Sequence, residues 1–258
     1  MHDTSAPAVP DRPVFQAGRR RPAWWAELLL AAAGYALYTV SRNAVPDHRA
    51  AALHRAQEIL DAERSLHLSF ELALNHAADH VTWLITGMNY YYATLHFIVT
   101  IGTLLWLYAR RPEHFREART ALYAATAAAL AGFYLYALAP PRFLSGDGFI
   151  DTVVVHHTWG SWASSSVDTV SNQYAAMPSV HIVWSTWCAV VLYRQARNRA
   201  VRLAAVCYPV ATLAVILSTA NHFEADALAG LLTIAAGFTA AHWTARFSAR
   251  PPLARTGA

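Results

Sequence analysis

Three short polar segments carry residues that could work on phosphate: Pro140-Pro141-Arg142, Pro178-Ser179-Val180-His181, and Asn221-His222-Phe223-Glu224-Ala225-Asp226. Arginine grips phosphate oxygens with a planar, two-pronged fork. Serine at a helix N-terminus puts free backbone N–H groups and the positive end of the helix dipole next to an anion. His222 and Asp226 stand four residues apart, on one face of a helix, where the carboxylate can orient the imidazole. A histidine held in this way serves as a nucleophile or a base. His181 is then free to act as a general acid. Any one of the segments alone reads as an ordinary helix end, because Asp and Ser cap helices and Pro starts them. All three on one side of a bundle read as a phosphate site.

The elements that must position them are membrane helices. Of 258 residues, 55% are hydrophobic and only 14% charged, with a mean hydropathy of +0.23. A soluble domain carries about 25% charge. Gly (11) and Pro (12) are sparse while Trp (9) and Tyr (12) are abundant, which excludes disordered and collagen-like chains. The two cysteines, Cys188 and Cys207, sit in apolar runs and read as small buried residues rather than a disulfide framework. The net charge of +4 is spread between apolar stretches, so no nucleic-acid partner is expected.

Six stretches approach the roughly 20 residues that cross a bilayer: 23–40, 90–109, 120–139, 179–193, 203–220 and 225–243. The expected fold is an all-α six-transmembrane-helix bundle. One membrane domain, 23–245, would lie between polar tails at 1–22 and 246–258. Pro209 should kink the fifth span. Trp24, Trp25, Trp106, Trp159, Trp162 and Trp243 fall near span ends, where aromatic rings favour the interface. The first tail ends in Arg19-Arg20-Arg21, the basic flank of an anchor rather than a cleaved signal peptide. All twenty basic residues are arginine, fifteen of them on the side of the N-terminus. The positive-inside bias puts both termini in the cytoplasm and the three polar segments at the extracytoplasmic face of the cell membrane.

Between the first two spans, 50–68 has amphipathic spacing (Leu53, Ile59, Leu60, Leu66 against Glu58, Asp61, Glu63, Arg64) and should lie along the membrane surface. The stretch 70–88 is apolar but interrupted by Glu71, Asn75, His76, Asp79 and His80. It reads as an interfacial or re-entrant helix. His76, Asp79 and His80 have the spacing of three metal ligands on a helix, yet no fourth ligand is evident, and wetting one helix face is the simpler reading. His156-His157 could touch a headgroup, although a solvated loop is simpler. Asn89 and His96 share a helix face and either line a pocket or hydrogen-bond within the bundle. Glu27 reads as interfacial.

The three segments resemble the three motifs of the type 2 phosphatidic acid phosphatase superfamily. The strings 172–181 and 219–223, with Asn89-Tyr90-Tyr91, His96 and Asp151-Thr152, resemble its inositol phosphorylceramide synthase-like branch. The resemblance runs from about 43 to 237. It implies a six-helix bundle working through phosphohistidine, with no metal and no cofactor. It makes His222 the nucleophile, Asp226 its orienting partner and His181 the acid for the leaving oxygen. Arg142 and Ser179 form the phosphate cradle; Asn221 is a further phosphate-binding candidate, and Asn89, His96 and Tyr174 are candidates to line the pocket. Two departures stand out. The superfamily has a lysine seven residues before the first-motif arginine and an arginine six before the third-motif histidine, where this chain has Leu135 and Ile216. Arg42, Arg49, Arg55 and Arg64 are the available substitutes, Arg42 first among them.

The expected function is transfer or hydrolysis of a phosphoryl group on a lipid phosphate or phosphodiester. Water as acceptor would make the chain a phosphatase; a polyol such as inositol would make it a phosphotransferase. One rival is a membrane enzyme that uses the same cradle to ionise a prenyl diphosphate. Another is a non-catalytic lipid-binding or transport protein, against which the two histidines and Asp226 speak.

Overall fold

The computed structural model describes residues 22–43, 49–144, 146–158 and 174–248. Among them the chain is helical throughout: α1 (Trp24–Asn43), α2 (Arg49–Ser65), α3 (Glu71–Asp79), α4 (Thr82–Arg110), α5 (Pro112–Leu135), α6 (Thr152–Val155), α7 (Val180–Gln195), α8 (Arg199–Ser218) and α9 (Glu224–Ser248). Each of the six apolar stretches falls on a helix. Three of these helices, α4, α8 and α9, are long and apolar enough to cross a membrane. Leu203, Val206, Val210 and Leu213 on α8 and Leu228, Leu231 and Leu232 on α9 are exposed, as an apolar surrounding allows.

The bundle core joins α5, α7 and α9. Leu122, Ala125, Val183, Trp187 and Ile234 are buried in it, and the Trp187 indole donates to the Ala118 carbonyl at 2.8 Å. A Cβ on Gly237 of α9 would stand 2.6 Å from the Ala121 carbonyl of α5. Only glycine permits that backbone approach, the usual device for close helix packing in lipid. Glu27 accepts from Arg119, and this half-buried ion pair ties α1 to α5.

Several expectations need correction. The stretch 70–88 is not one interfacial helix, because α3 ends at Asp79 and Thr82 already begins the 29-residue α4. The polar side chains of the stretch cluster before that break. From Thr82 onward the first charged residue is Arg110, so nothing opposes a long apolar helix. The apolar face of α2 is covered by protein. Its buried residues Ala52, Ala56 and Leu60 pack on Ala137, Leu138, Phe149, Ala176 and Phe223, and the Ala52 carbonyl accepts from Ala139 N–H at 3.2 Å. Amphipathic spacing reveals a face to be covered, not what covers it. Glu63, assigned to the polar face, is 5% exposed. Cys188 is buried as expected, but Cys207 is exposed on α8. Pro209 lies within α8, which continues past it to Ser218. Trp159 and Trp162 lie outside the described residues.

The result that matters for function is that α2 covers the loops carrying the three polar segments. Two of those loops also pair with each other through a short parallel bridge between Leu138 and Ala175. Leu138 donates to the Tyr174 carbonyl at 2.8 Å, and Ala176 donates to the Leu138 carbonyl at 3.3 Å.

Candidate active site

The third segment begins where α8 ends. Ala220 turns the chain in the left-handed region at φ 49°, and Asn221 N–H folds back to the Ile216 carbonyl at 3.1 Å. Such a 6→1 bond closes a helix in the Schellman manner. Three residues after Asn221, α9 starts, with Asp226 in its first turn. A carboxylate there is favoured by the unpaired N–H groups and the helix dipole. Asp226 Oδ2 accepts from Phe223 N–H at 3.0 Å and from His222 Nδ1 at 3.2 Å. Because a carboxylate of this kind accepts, Nδ1 of His222 carries the proton and Nε2 keeps its lone pair. That Nε2 atom is buried and has no hydrogen-bond partner. His222 is 3% exposed and Asp226 0%.

The second segment is bound to the third through its backbone. Ser179, the N-cap of α7, donates its N–H to the Asp226 carbonyl at 3.0 Å. Its hydroxyl is buried without a partner and stands beside the free N–H groups of the helix end. Gly230 of α9 makes the contact possible, since a Cβ there would come within 2.8 Å of the Ser179 carbonyl. His181, in the first turn of α7, presents its ring edge-on to His222 with centroids 5.6 Å apart.

The first segment completes the group. Arg142 N–H donates to the Ala220 carbonyl at 3.0 Å, and its guanidinium donates to Asn221 Oδ1. Asn221 in turn donates to Thr219 Oγ1 at 2.8 Å. On the other side, Arg142 Nε lies 3.7 Å from Asp151 Oδ2. Asp151 caps α6 by accepting from Val153 and Val154 N–H groups. The guanidinium is therefore braced by Asn221 and Asp151, with the Phe143 ring beneath it at 4.9 Å. His222, Asp226, His181, Ser179, Asn221 and Arg142, far apart in sequence, form one group.

Tyr92 belongs to this group and the sequence did not single it out. Its ring stacks on His181 at 4.1 Å and tilts against His222 at 6.1 Å, and its carbonyl accepts from His181 Nε2 at 3.2 Å. The available signal was spacing: Tyr92 lies on the α4 face of Asn89 and His96. His96 contacts the ring of His181 at 4.3 Å. Asn89 binds instead at the back, its amide donating to the Thr152 carbonyl (3.1 Å) and accepting from the Thr152 hydroxyl (2.9 Å). Of its two readings, the structural hydrogen bond is the one seen. Tyr174 packs edge-on against Phe143 at 6.1 Å, behind Arg142.

Two of the substitute cations are engaged elsewhere. Arg55 donates to the Ala137 carbonyl at 3.0 Å, and Arg64 pairs with Asp147 at 2.7 Å. Arg42 ends α1 with a side chain outside the described residues. Leu135 is 74% exposed, whereas Ile216 is fully buried in an apolar cluster with Ile182 and Ala227. His76 and Asp79 do not converge on a metal: His76 Nε2 meets the Gly148 carbonyl at 2.8 Å, and Asp79 accepts from His156 at 2.6 Å. Both fasten the loop before and after α6, so His156 is a tether; His157 is exposed.

A family model described as the PAP2 superfamily matches residues 57–240, a range that contains all three polar segments. No curated protein and no solved structure matches the chain.

Proposed function

The chain belongs to the PAP2 superfamily, and is thus a phosphatase- or phosphotransferase-type enzyme of lipid phosphates; we propose that it works through a phosphohistidine on His222. The observation that carries this reading is the buried, unpartnered Nε2 of His222, opposite an Nδ1–H held by Asp226. Nε2 attacks phosphorus in line, the P–O bond to the leaving alcohol breaks, and a proton from His181 goes to the departing oxygen. Because Nε2 of His181 is committed to the Tyr92 carbonyl, Nδ1 is the nitrogen left to carry that proton. In the second half His181 takes a proton from water or an alcohol, the new oxygen attacks phosphorus, and the N–P bond breaks. Asp226 stabilises the positive charge that builds on His222. Arg142, the Ser179 hydroxyl and the N-terminal N–H groups of α7 hold the remaining oxygens.

The likeness of 172–181 and 219–223 to the inositol phosphorylceramide synthase-like branch supports headgroup transfer from a phosphodiester lipid to a polyol. Charge supports the same choice. Arg142 is the one arginine with contacts inside the group among the described residues, and Asp151 at 3.7 Å offsets part of it. A phosphodiester brings one negative charge, while a monoester brings nearly two at neutral pH, and an unpaired buried charge is costly. The ratio of kcat/KM for a diester over a monoester lipid of the same acyl composition should exceed about tenfold. A preference for the monoester would contradict this choice of substrate.

Six membrane crossings by α1, α4, α5, α7, α8 and α9, with both termini cytoplasmic, complete the proposal. Its support is the fifteen-to-five division of arginines. In a Cys207→Ala background, which removes the exposed native thiol, a cysteine replacing Ser165 should react with a membrane-impermeant thiol reagent in intact cells. One replacing Asn198 should not. The reversed pattern would put the reaction on the cytoplasmic side.

A further inference from the structure

Beside the active site, but outside it, three acidic side chains from three helices converge. Glu63 lies in the last turn of α2, Glu71 starts α3 and Glu224 starts α9. One carboxylate oxygen of each lies within 4.8 Å of the other two. Two backbone N–H groups hold the outer oxygens: Ala225 donates to Glu63 at 2.7 Å and Phe70 to Glu224 at 2.8 Å. The second oxygens of Glu63 and Glu224 meet no N–H or hydroxyl donor. Glu71 is 0% exposed, and its carboxyl meets the Glu224 carboxyl and its own backbone N–H but no cation. A fully buried carboxyl group facing two others is costly unless a cation or a proton answers it. The side-chain charges that bear on Glu63 and Glu71 are Glu224, Asp226 and Glu63 itself, all negative.

Such a group needs a positive occupant. Its ligands are carboxylate oxygens, without the nitrogen or sulfur that zinc and copper favour. Two oxygens bound to one calcium ion at 2.3–2.6 Å stand at most about 5 Å apart, which matches the observed spread. Magnesium, with shorter bonds and a strict octahedron, suits it less well. We propose that Glu63, Glu71 and Glu224 bind one divalent cation of the calcium class. The ion fastens α2 and α3 to the first turn of α9, the turn that carries Asp226. It takes no part in the phosphorus chemistry, and its binding does not depend on the reaction proposed above. Protons are the competing occupant: burial, with Glu224 adding to it, pushes the Glu63 carboxyl up to about 8 and the Glu71 carboxyl up to about 9.

The test uses full-length protein purified in detergent and stripped with EDTA. Equilibrium dialysis against radioactive calcium should show one saturable ion per chain. Calcium chloride should raise the melting temperature, read by tryptophan fluorescence at constant ionic strength, by about 5 °C at saturation. Magnesium and manganese chlorides run in parallel. Glu71→Gln and Glu63→Gln, which mimic the protonated side chains and should fold, are expected to lose the shift and at least tenfold in affinity. Asp61→Asn, a nearby exposed carboxylate, should retain both. Absence of saturable binding in the wild-type chain would overturn the proposal, as would an undiminished calcium shift in Glu71→Gln. Stabilisation by Glu71→Gln in a chain that ignores all three metals would assign the cluster to shared protons instead.

Discussion

Turnover of a His222→Ala variant should fall to background, a loss of about 10⁵-fold or more, as removal of a covalent nucleophile does elsewhere. Nothing else in the group can take its place. The Ser179 hydroxyl is buried nearby, yet a serine attacks only when a base accepts its proton, and this hydroxyl is hydrogen-bonded to no base. Helix content should persist, because the backbone of 221–226 is held by bonds the imidazole does not make: Asn221 to Ile216, Ser179 to Asp226 and Phe223 to the Asp226 carboxylate. Initial rates on radiolabelled lipid, with circular dichroism as the control for folding, measure both. Activity within tenfold of wild type would remove His222 from the covalent step.

The second large effect belongs to Asp226→Asn. The amide can keep the Phe223 N–H bond and the Nδ1–H bond through its oxygen, so the turn should survive. The negative charge that offsets the developing imidazolium is lost, however. An amide rotated the other way would turn an N–H group toward Nδ1 and favour the wrong tautomer. A fall in kcat of about 10³–10⁴ is expected, with KM little changed. A change confined to KM would mean that Asp226 positions substrate rather than the nucleophile.

The residues behind both predictions were legible because each is a polar exception in apolar surroundings. Prolines, an arginine, two histidines and an aspartate are conspicuous in a chain with 14% charge. Alternating crossings then place their segments together. What stayed hidden depends on partners that pattern does not encode. Tyr92 sits in a run of aromatic residues that reads as membrane-facing, and only packing against α7 turns its ring onto His181. Glu63 looks solvated on an amphipathic helix until the Ala225 N–H group and the buried Glu71 are placed against it. The covering role of α2 was similarly invisible, since its apolar stripe fits lipid or protein alike. Asp151 stood out only through the resemblance, and its bracing of Arg142 is a contact made across the intervening loop.

The central claim is that phosphorus is carried on His222, and trapping that intermediate tests it most directly. Purified enzyme mixed rapidly with a lipid labelled at phosphorus and quenched in alkali, where phosphohistidine survives, should retain label on the protein. Peptide mapping should place the label on the peptide containing His222, and His222→Ala should show none. Steady turnover by an enzyme that never becomes labelled at any time point would contradict the account, and would point to direct displacement or to ionisation of a diphosphate at the same cradle.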